Sequence, residues 1–338
     1  VLYHFFIWTL FTSKLLAPPV DHHIGDLARI GYQIPSAYLR KNEITLSKKH
    51  IDAKDYTNQD IDIITLGDSF SNADMKGKNP YYQDYISSTT GLDVLNAHKS
   101  PKVKNDIETV MLWYNSGLLD IIRPKAILIE SVERLAVSRY AQNINWSITT
   151  NIKEAREDLI NSTWPAPAEI QTYLFINSGN YNYIIYNTLY NFSSNAFNKS
   201  KVFKFKLDRN VFSVDSPSTL LVYKEDIQSL DSNNKENLEL LNHNFNQLAQ
   251  YLNEKDIKLY VMIATDKYDL YSPYMISNPH KENLFFNHLR PLNKEYIFID
   301  TKKMLSPLLK QNGKDIYYAD DTHWSYKASE HIISEVFQ

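Results

Sequence analysis

Two short stretches at opposite ends of the chain hold the residue types that serine-based acyl transfer needs. Gly67-Asp68-Ser69-Phe70 follows the β-branched run Ile61-Asp62-Ile63-Ile64-Thr65-Leu66, and Ala319-Asp320-Asp321-Thr322-His323-Trp324 precedes an amphipathic stretch. A serine hydroxyl attacks poorly until a base removes its proton. Histidine, with an ordinary pKa near ~6.5, suits that task, and a carboxylate fixes its tautomer and steadies the imidazolium. Ser69 is the expected nucleophile and His323 the expected base. Asp321 is the expected orienting carboxylate, with Asp320 as the alternative, because both lie close enough along the chain. The backbone N–H of Ser69, at a strand-to-helix turn, also points to an oxyanion role. The lipase-type Gly-x-Ser-x-Gly elbow is not present, since Ser71 stands where its second glycine would be. A serine after a strand is as often a simple helix cap, and a lone histidine as often a core residue. Their joint occurrence carries the argument.

Other chemistries find less support. The chain has no cysteine, which removes disulfides, thiolate metal sites and a cysteine nucleophile. Phosphate-cradling glycine loops and zinc-type His/Glu motifs are absent, so neither cofactor nor metal is indicated. His22-His23 has no third ligand at metal spacing and reads as solvated linker. The 36 basic and 39 acidic side chains nearly balance, and no Lys/Arg run carries interleaved aromatics, so nucleic acid is not an expected partner. With 24 Tyr against 8 Gly, aromatic surface is plentiful, which suits either sugar stacking or ordinary half-buried packing.

The elements that must position Ser69 and His323 alternate. Strands are expected at 61–66, 92–96, 126–130, 258–264 and 296–300. Helical periodicity runs through 106–122, 238–252 and 325–337. This pattern predicts an α/β fold: a three-layer α/β/α sandwich on a five-stranded, mostly parallel sheet, interrupted by one insertion. Ligands bind outside the carboxyl ends of such strands, where the loops carrying Ser69 and His323 both emerge. The catalytic domain is read as 61–134 plus 224–338. Residues 135–223, rich in Asn, Tyr, Ser and Phe, form an insertion or cap with helices near 153–161 and 180–191. Residues 21–60 read as a connector with a helical patch at 24–30. Residues 1–20 are apolar and aromatic but interrupted by Lys14, and read as a signal-anchor remnant or as an apolar helix packed on the body.

The Gly-Asp-Ser and Asp-x-His-Trp pair resembles the SGNH (GDSL-type) hydrolase superfamily, whose fold is flavodoxin-like, and more narrowly its alginate O-acetyltransferase-like branch. The resemblance covers roughly 60–135 and 235–338, and implies Asp321, two residues before the histidine, as the orienter. Two of the superfamily's motifs are altered. Its Asn-x-Gly becomes Asn96-Ala97-His98, so the His98 N–H would replace a glycine donor to the oxyanion. Its Gly-x-Asn-Asp becomes Glu130-Ser131-Val132-Glu133-Arg134, where Arg134 would either contact the acyl group or pair with a nearby acid. Trp324, Tyr268 and Tyr271 follow as a candidate sugar-facing wall, with packing as the alternative for each.

The resemblance implies a polysaccharide O-acyltransferase, most simply O-acetyl, working through an acyl-serine on a cell-surface or secreted glycan. It further implies an acyl donor delivered by a membrane-bound O-acyltransferase partner, while the apolar N-terminal segment, read as a signal-anchor remnant, suggests an extracytoplasmic, periplasmic location with membrane contact through the N-terminus. A carbohydrate O-acetyl esterase of the same fold is the first alternative. A catalytically idle, glycan-binding module of an export complex is the second.

Overall fold

Short β-branched runs bounded by turns form a parallel sheet, because each run is apolar on both faces and must be covered on both. The structure, a computed structural model, describes residues 1–16, 24–33, 44–72, 78–164 and 174–337. The strands are β1 (Ile51–Asp52), β2 (Ile63–Leu66), β3 (Val94–Asn96), β4 (Ala126–Val132), β5 (Val202–Lys206), β6 (Thr219–Tyr223), β7 (Lys258–Ala264) and β8 (Ile297–Asp300). Six of them form one sheet in the order β1-β3-β2-β4-β7-β8, with every neighbouring pair parallel. The fold is therefore α/β, with six strands rather than the five expected. The extra strand is the two-residue edge β1, which lies in the segment read as connector. Two residues leave no periodicity to detect.

Alternation along the strands divides the core in two. Ile64, Leu66, Ile127, Ile129, Val261 and Ile263 face the helices Asp106–Asn115, Leu118–Ile122 and Lys235–Asn253. Ile63, Leu128, Met262 and Ala264 face Tyr82–Thr90, Thr301–Lys310 and Tyr326–Val336. The helical stretch expected at 106–122 is split at Gly117, whose φ of +78° only glycine adopts cheaply. The order of strands reverses about β2 and β4, so the crevice at their carboxyl ends is where a ligand site is built.

Within 135–223 the structure contains the helices Ile152–Asn161 and Gly179–Leu189. It also contains an antiparallel β5–β6 hairpin, pairing Phe203 with Val222 and Phe205 with Leu220, which sequence periodicity did not indicate. The N-terminal apolar segment forms helical turns from Leu2 to Leu16, stacking Tyr3 on Tyr181 and Phe11 on Tyr183. Among the described residues no helix is long and apolar enough to cross a membrane. The His22-His23 pair lies outside the described residues.

Candidate active site

The Ser69 turn is braced from beneath by two buried carboxyl groups. Asp68 accepts hydrogen bonds from the Val132 N–H at 2.8 Å, from Arg139 Nη1 at 2.6 Å and from the Phe70 N–H at 3.2 Å. Burial alone would raise the Asp68 carboxyl, but Arg139 and these donors outweigh it and hold the group below the ordinary range. Glu130 Oε2 accepts from the Asp68 N–H at 3.1 Å and from Ser71 Oγ at 2.8 Å. Burial, followed by repulsion from Asp68, pushes Glu130 well above a normal carboxyl. A Cβ on Gly67 would collide with Ser71 Oγ and the Glu130 carboxyl. Glycine is needed here for close approach, not for a positive φ.

His323 arrives on the loop before the last helix, which starts with Ser325 Oγ accepting from the Lys327 N–H. Its Nε2 stands 2.8 Å from Ser69 Oγ, and its Nδ1 stands 2.6 Å from Asp321 Oδ1. Asp321 Oδ1 also accepts from the His323 N–H at 3.1 Å. Burial lowers the imidazole pKa, but the carboxylates of Asp321 and Asp26 more than reverse this and raise it above the ordinary value. Ser69 is half-buried while His323 and Asp321 are buried, so the hydroxyl is the exposed end of the chain of three.

Asp320 faces away from His323. Its Oδ2 accepts from the Gly25 N–H at 2.6 Å, and its carbonyl accepts from the Ala28 N–H at 3.0 Å. The loop is held from the other side by Lys267, fully buried, whose Nζ donates to the carbonyls of Tyr318, Ala319 and Asp321 at 2.7, 3.0 and 3.0 Å. Burial drives that lysine down to about 8. Asp26 reaches the same loop through Thr322.

Three expected substrate contacts are corrected. Trp324, Tyr268 and Tyr271 are each 0% exposed and present no ring face to a sugar. Trp324 packs against Phe70, with ring centres 4.7 Å apart; Tyr268 donates to the Lys281 carbonyl, and Tyr271 accepts from the Tyr317 N–H. Their rings fill the core beneath the site because aromatic area is worth most when fully buried. Arg134 is corrected as an acyl contact. Its Nη1 pairs with Asp266 at 2.8 Å and with Asp226 at 3.4 Å, so the guanidinium braces the carboxyl ends of β4 and β7.

His98 is half-buried and lines a cavity of about 210 Å³ with Asp52, Asn72, Asn96, Tyr81 and Trp164. Asn72 belongs to the Ser69 turn, its N–H donating to the Ser69 carbonyl at 3.3 Å. Asn96 ties β3 to that turn by donating to the Ser71 carbonyl at 3.2 Å. Burial lowers the His98 imidazole, and its Nδ1 is buried without a hydrogen-bond partner.

Among the described residues one set of donors lies close enough to share a metal ion, namely Asp26, Asp321 and His323, with ligand atoms within 4.8 Å of one another. The hydrogen bonds from His323 Nδ1 to Asp321 and from Thr322 to Asp26 already account for that clustering. The sequence reading missed Asp26, Lys267, Glu130 and Asn72. Glu130 opens the altered motif already singled out, and Asn72 lies three residues after the serine, whereas Asp26 and Lys267 carried no positional hint.

No protein-family model matches the chain, and no curated protein matches it significantly.

Proposed function

We propose that the protein is an O-acyltransferase that carries its acyl group on Ser69. The observation behind this is the continuous run from Ser69 Oγ to His323 Nε2 at 2.8 Å and from His323 Nδ1 to Asp321 at 2.6 Å. Ser69 Oγ attacks the donor's carbonyl while its proton passes to Nε2. The donor's leaving oxygen then departs with that proton, leaving an acyl-serine ester. An acceptor hydroxyl next gives its proton to Nε2 and attacks the ester, and Ser69 Oγ leaves and regains the proton. The Ser69 N–H is the primary oxyanion donor in this scheme. The His98 side of the cavity is the second position to test.

The strand order β3-β2-β4-β7-β8 follows the flavodoxin-like 2-1-3-4-5 pattern, with helices on both faces as in a three-layer sandwich. That order, with the Gly-Asp-Ser and Asp-x-His-Trp motifs, supports membership of the SGNH-type fold. Glycan hydroxyls are the proposed acceptors, O-acetyl the proposed group, and a membrane-bound acyltransferase the proposed donor, at an extracytoplasmic membrane surface. With the aromatic wall buried, the cavity lined by Asn72, Asn96, His98, Tyr81 and Trp164 is the proposed acceptor side.

Incubation with an activated acetyl ester followed by mass spectrometry tests the reading. Acetyl on Ser69, lost in Ser69→Ala, supports it; no adduct on the wild type overturns it. An esterase uses the same geometry with water as acceptor. Acetyl recovered on added oligosaccharide supports transfer, and free acetate alone supports hydrolysis.

A further inference from the structure

We infer that Asp26 is a second carboxylate of the site, a positioning residue that holds His323 through Thr322 and shares with Asp321 the task of steadying its positive charge. The inference rests on the reading of Ser69, His323 and Asp321 as a catalytic chain.

Asp26 opens the short helix Asp26–Gly31, far ahead of the first long strand. Its Oδ1 accepts from the Leu27 N–H at 2.7 Å and from the Thr322 N–H at 2.8 Å, while Oδ2 accepts from Thr322 Oγ1 at 2.6 Å. Thr322 Oγ1 in turn lies 3.4 Å from His323 Nδ1. A hydroxyl that spends its only proton on Asp26 turns lone pairs towards the imidazole. The segment is fixed in place by more than this contact. The Gly25 and Ala28 N–H groups hold Asp320, and a Cβ on Gly25 would strike the Asp320 backbone. The histidine loop is thus clamped between this helix and Lys267.

A carboxylate whose sole duty was to cap its own helix would need only the Leu27 N–H. Asp26 instead spends most of its lone pairs on the residue next to the base. Its own carboxyl is pushed up to about 6, by burial first and then by Asp321, with His323 and the Thr322 bonds opposing. The titratable groups facing it are Asp321 and His323 on the loop, Lys267 after β7 and the Tyr223 hydroxyl at the end of β6, while His323 is in addition opposed by Arg134 after β4. Of these, His323 is the one whose charge changes during the proposed reaction.

Asp26→Asn keeps the shape and removes the charge. His323 in the intact protein is titrated by NMR of its ring, with the signal assigned by its loss in His323→Gln. Acetylation of Ser69 is followed in parallel across pH. The expected result is a lower His323 pKa in Asp26→Asn, an acid limb displaced to lower pH, and acylation about tenfold slower at neutral pH. Asp26→Glu should restore the limb. A purely structural role would slow the reaction without moving either titration. His323 titration and acid limb unchanged in a folded Asp26→Asn would overturn the inference while leaving Ser69 chemistry intact. If Asp26→Asn fails to fold, Asp26→Ser, which also removes the charge, is titrated in its place: a lowered His323 pKa supports the inference and an unchanged one rejects it. Absence of any Ser69 adduct in the wild type would remove both proposals together.

Discussion

Asp321 reaches His323 twice, at Nδ1 and at the backbone N–H, while its neighbour Asp320 turns to the Gly25 N–H. One carboxylate therefore sets both the tautomer and the orientation of the imidazole, and the adjacent one anchors the loop. Asp321→Asn should lower the acylation rate about 10³–10⁴-fold, since an amide no longer accepts reliably from Nδ1–H. Asp320→Asn should cost much less rate and show its effect in thermal stability. Equal rate losses in the two variants, measured with an activated ester, would reject this division.

The pH dependence follows from the raised His323 pKa. The imidazole must be neutral to take the Ser69 proton, so activity is lost as pH falls through that raised value. The acid limb of kcat/KM should lie above the position expected of an unperturbed histidine. A limb below it would contradict the geometry of the two carboxylates.

His50 offers a stability test away from the site. Its Nδ1 lies 2.6 Å from Asp84 and its Nε2 3.3 Å from Asp52. Burial opposes its charge, but these hydrogen bonds prevail and raise it to about 9. The added stability is fully present below ~6.5 and is lost as pH rises through about 9. After allowance for the partly exposed Asp52, His50→Gln should cost about 2 kcal/mol at pH 6 and much less at pH 10. Denaturant unfolding at both pH values reads the difference directly.

Gly67→Ala should destabilise by about 1–3 kcal/mol and slow the proposed acylation as well, because its Cβ must displace Ser71 or the Glu130 carboxyl beneath the Ser69 turn. The same substitution at Gly91, where φ is +74° but no atom lies within 4 Å of the new Cβ, carries only the backbone penalty. Comparing the two variants by thermal melt and acylation rate separates the close-approach effect from the conformational one.

The acceptor side is tested by contrast. His98→Ala and Asn72→Ala should raise the KM for an oligosaccharide acceptor, since both line the cavity beside the Ser69 turn. Tyr271→Phe should leave that KM unchanged and cost about 1 kcal/mol of stability through the lost bond from the Tyr317 N–H. A KM effect from Tyr271→Phe alone would restore the aromatic wall.

What the sequence determined by itself was local. The β-branched run ending at Gly67, the strands at 126–130 and 258–264, and the capped final helix are visible because periodicity and turn chemistry act over a few residues. The Ser69 and His323 motifs were visible for the same reason, each being short and contiguous. The resemblance pointed to Asp321 over Asp320, but the physical difference between them is tertiary, because the two differ only in the direction their side chains take once Gly25 claims one of them. The tertiary structure alone placed Asp26 beside Thr322, a contact spanning 296 positions with no local signature. It also withdrew Trp324, Tyr268, Tyr271 and Arg134 from the cleft. Burial and pairing are properties of what packs from elsewhere in the chain, and no spacing along the sequence encodes them.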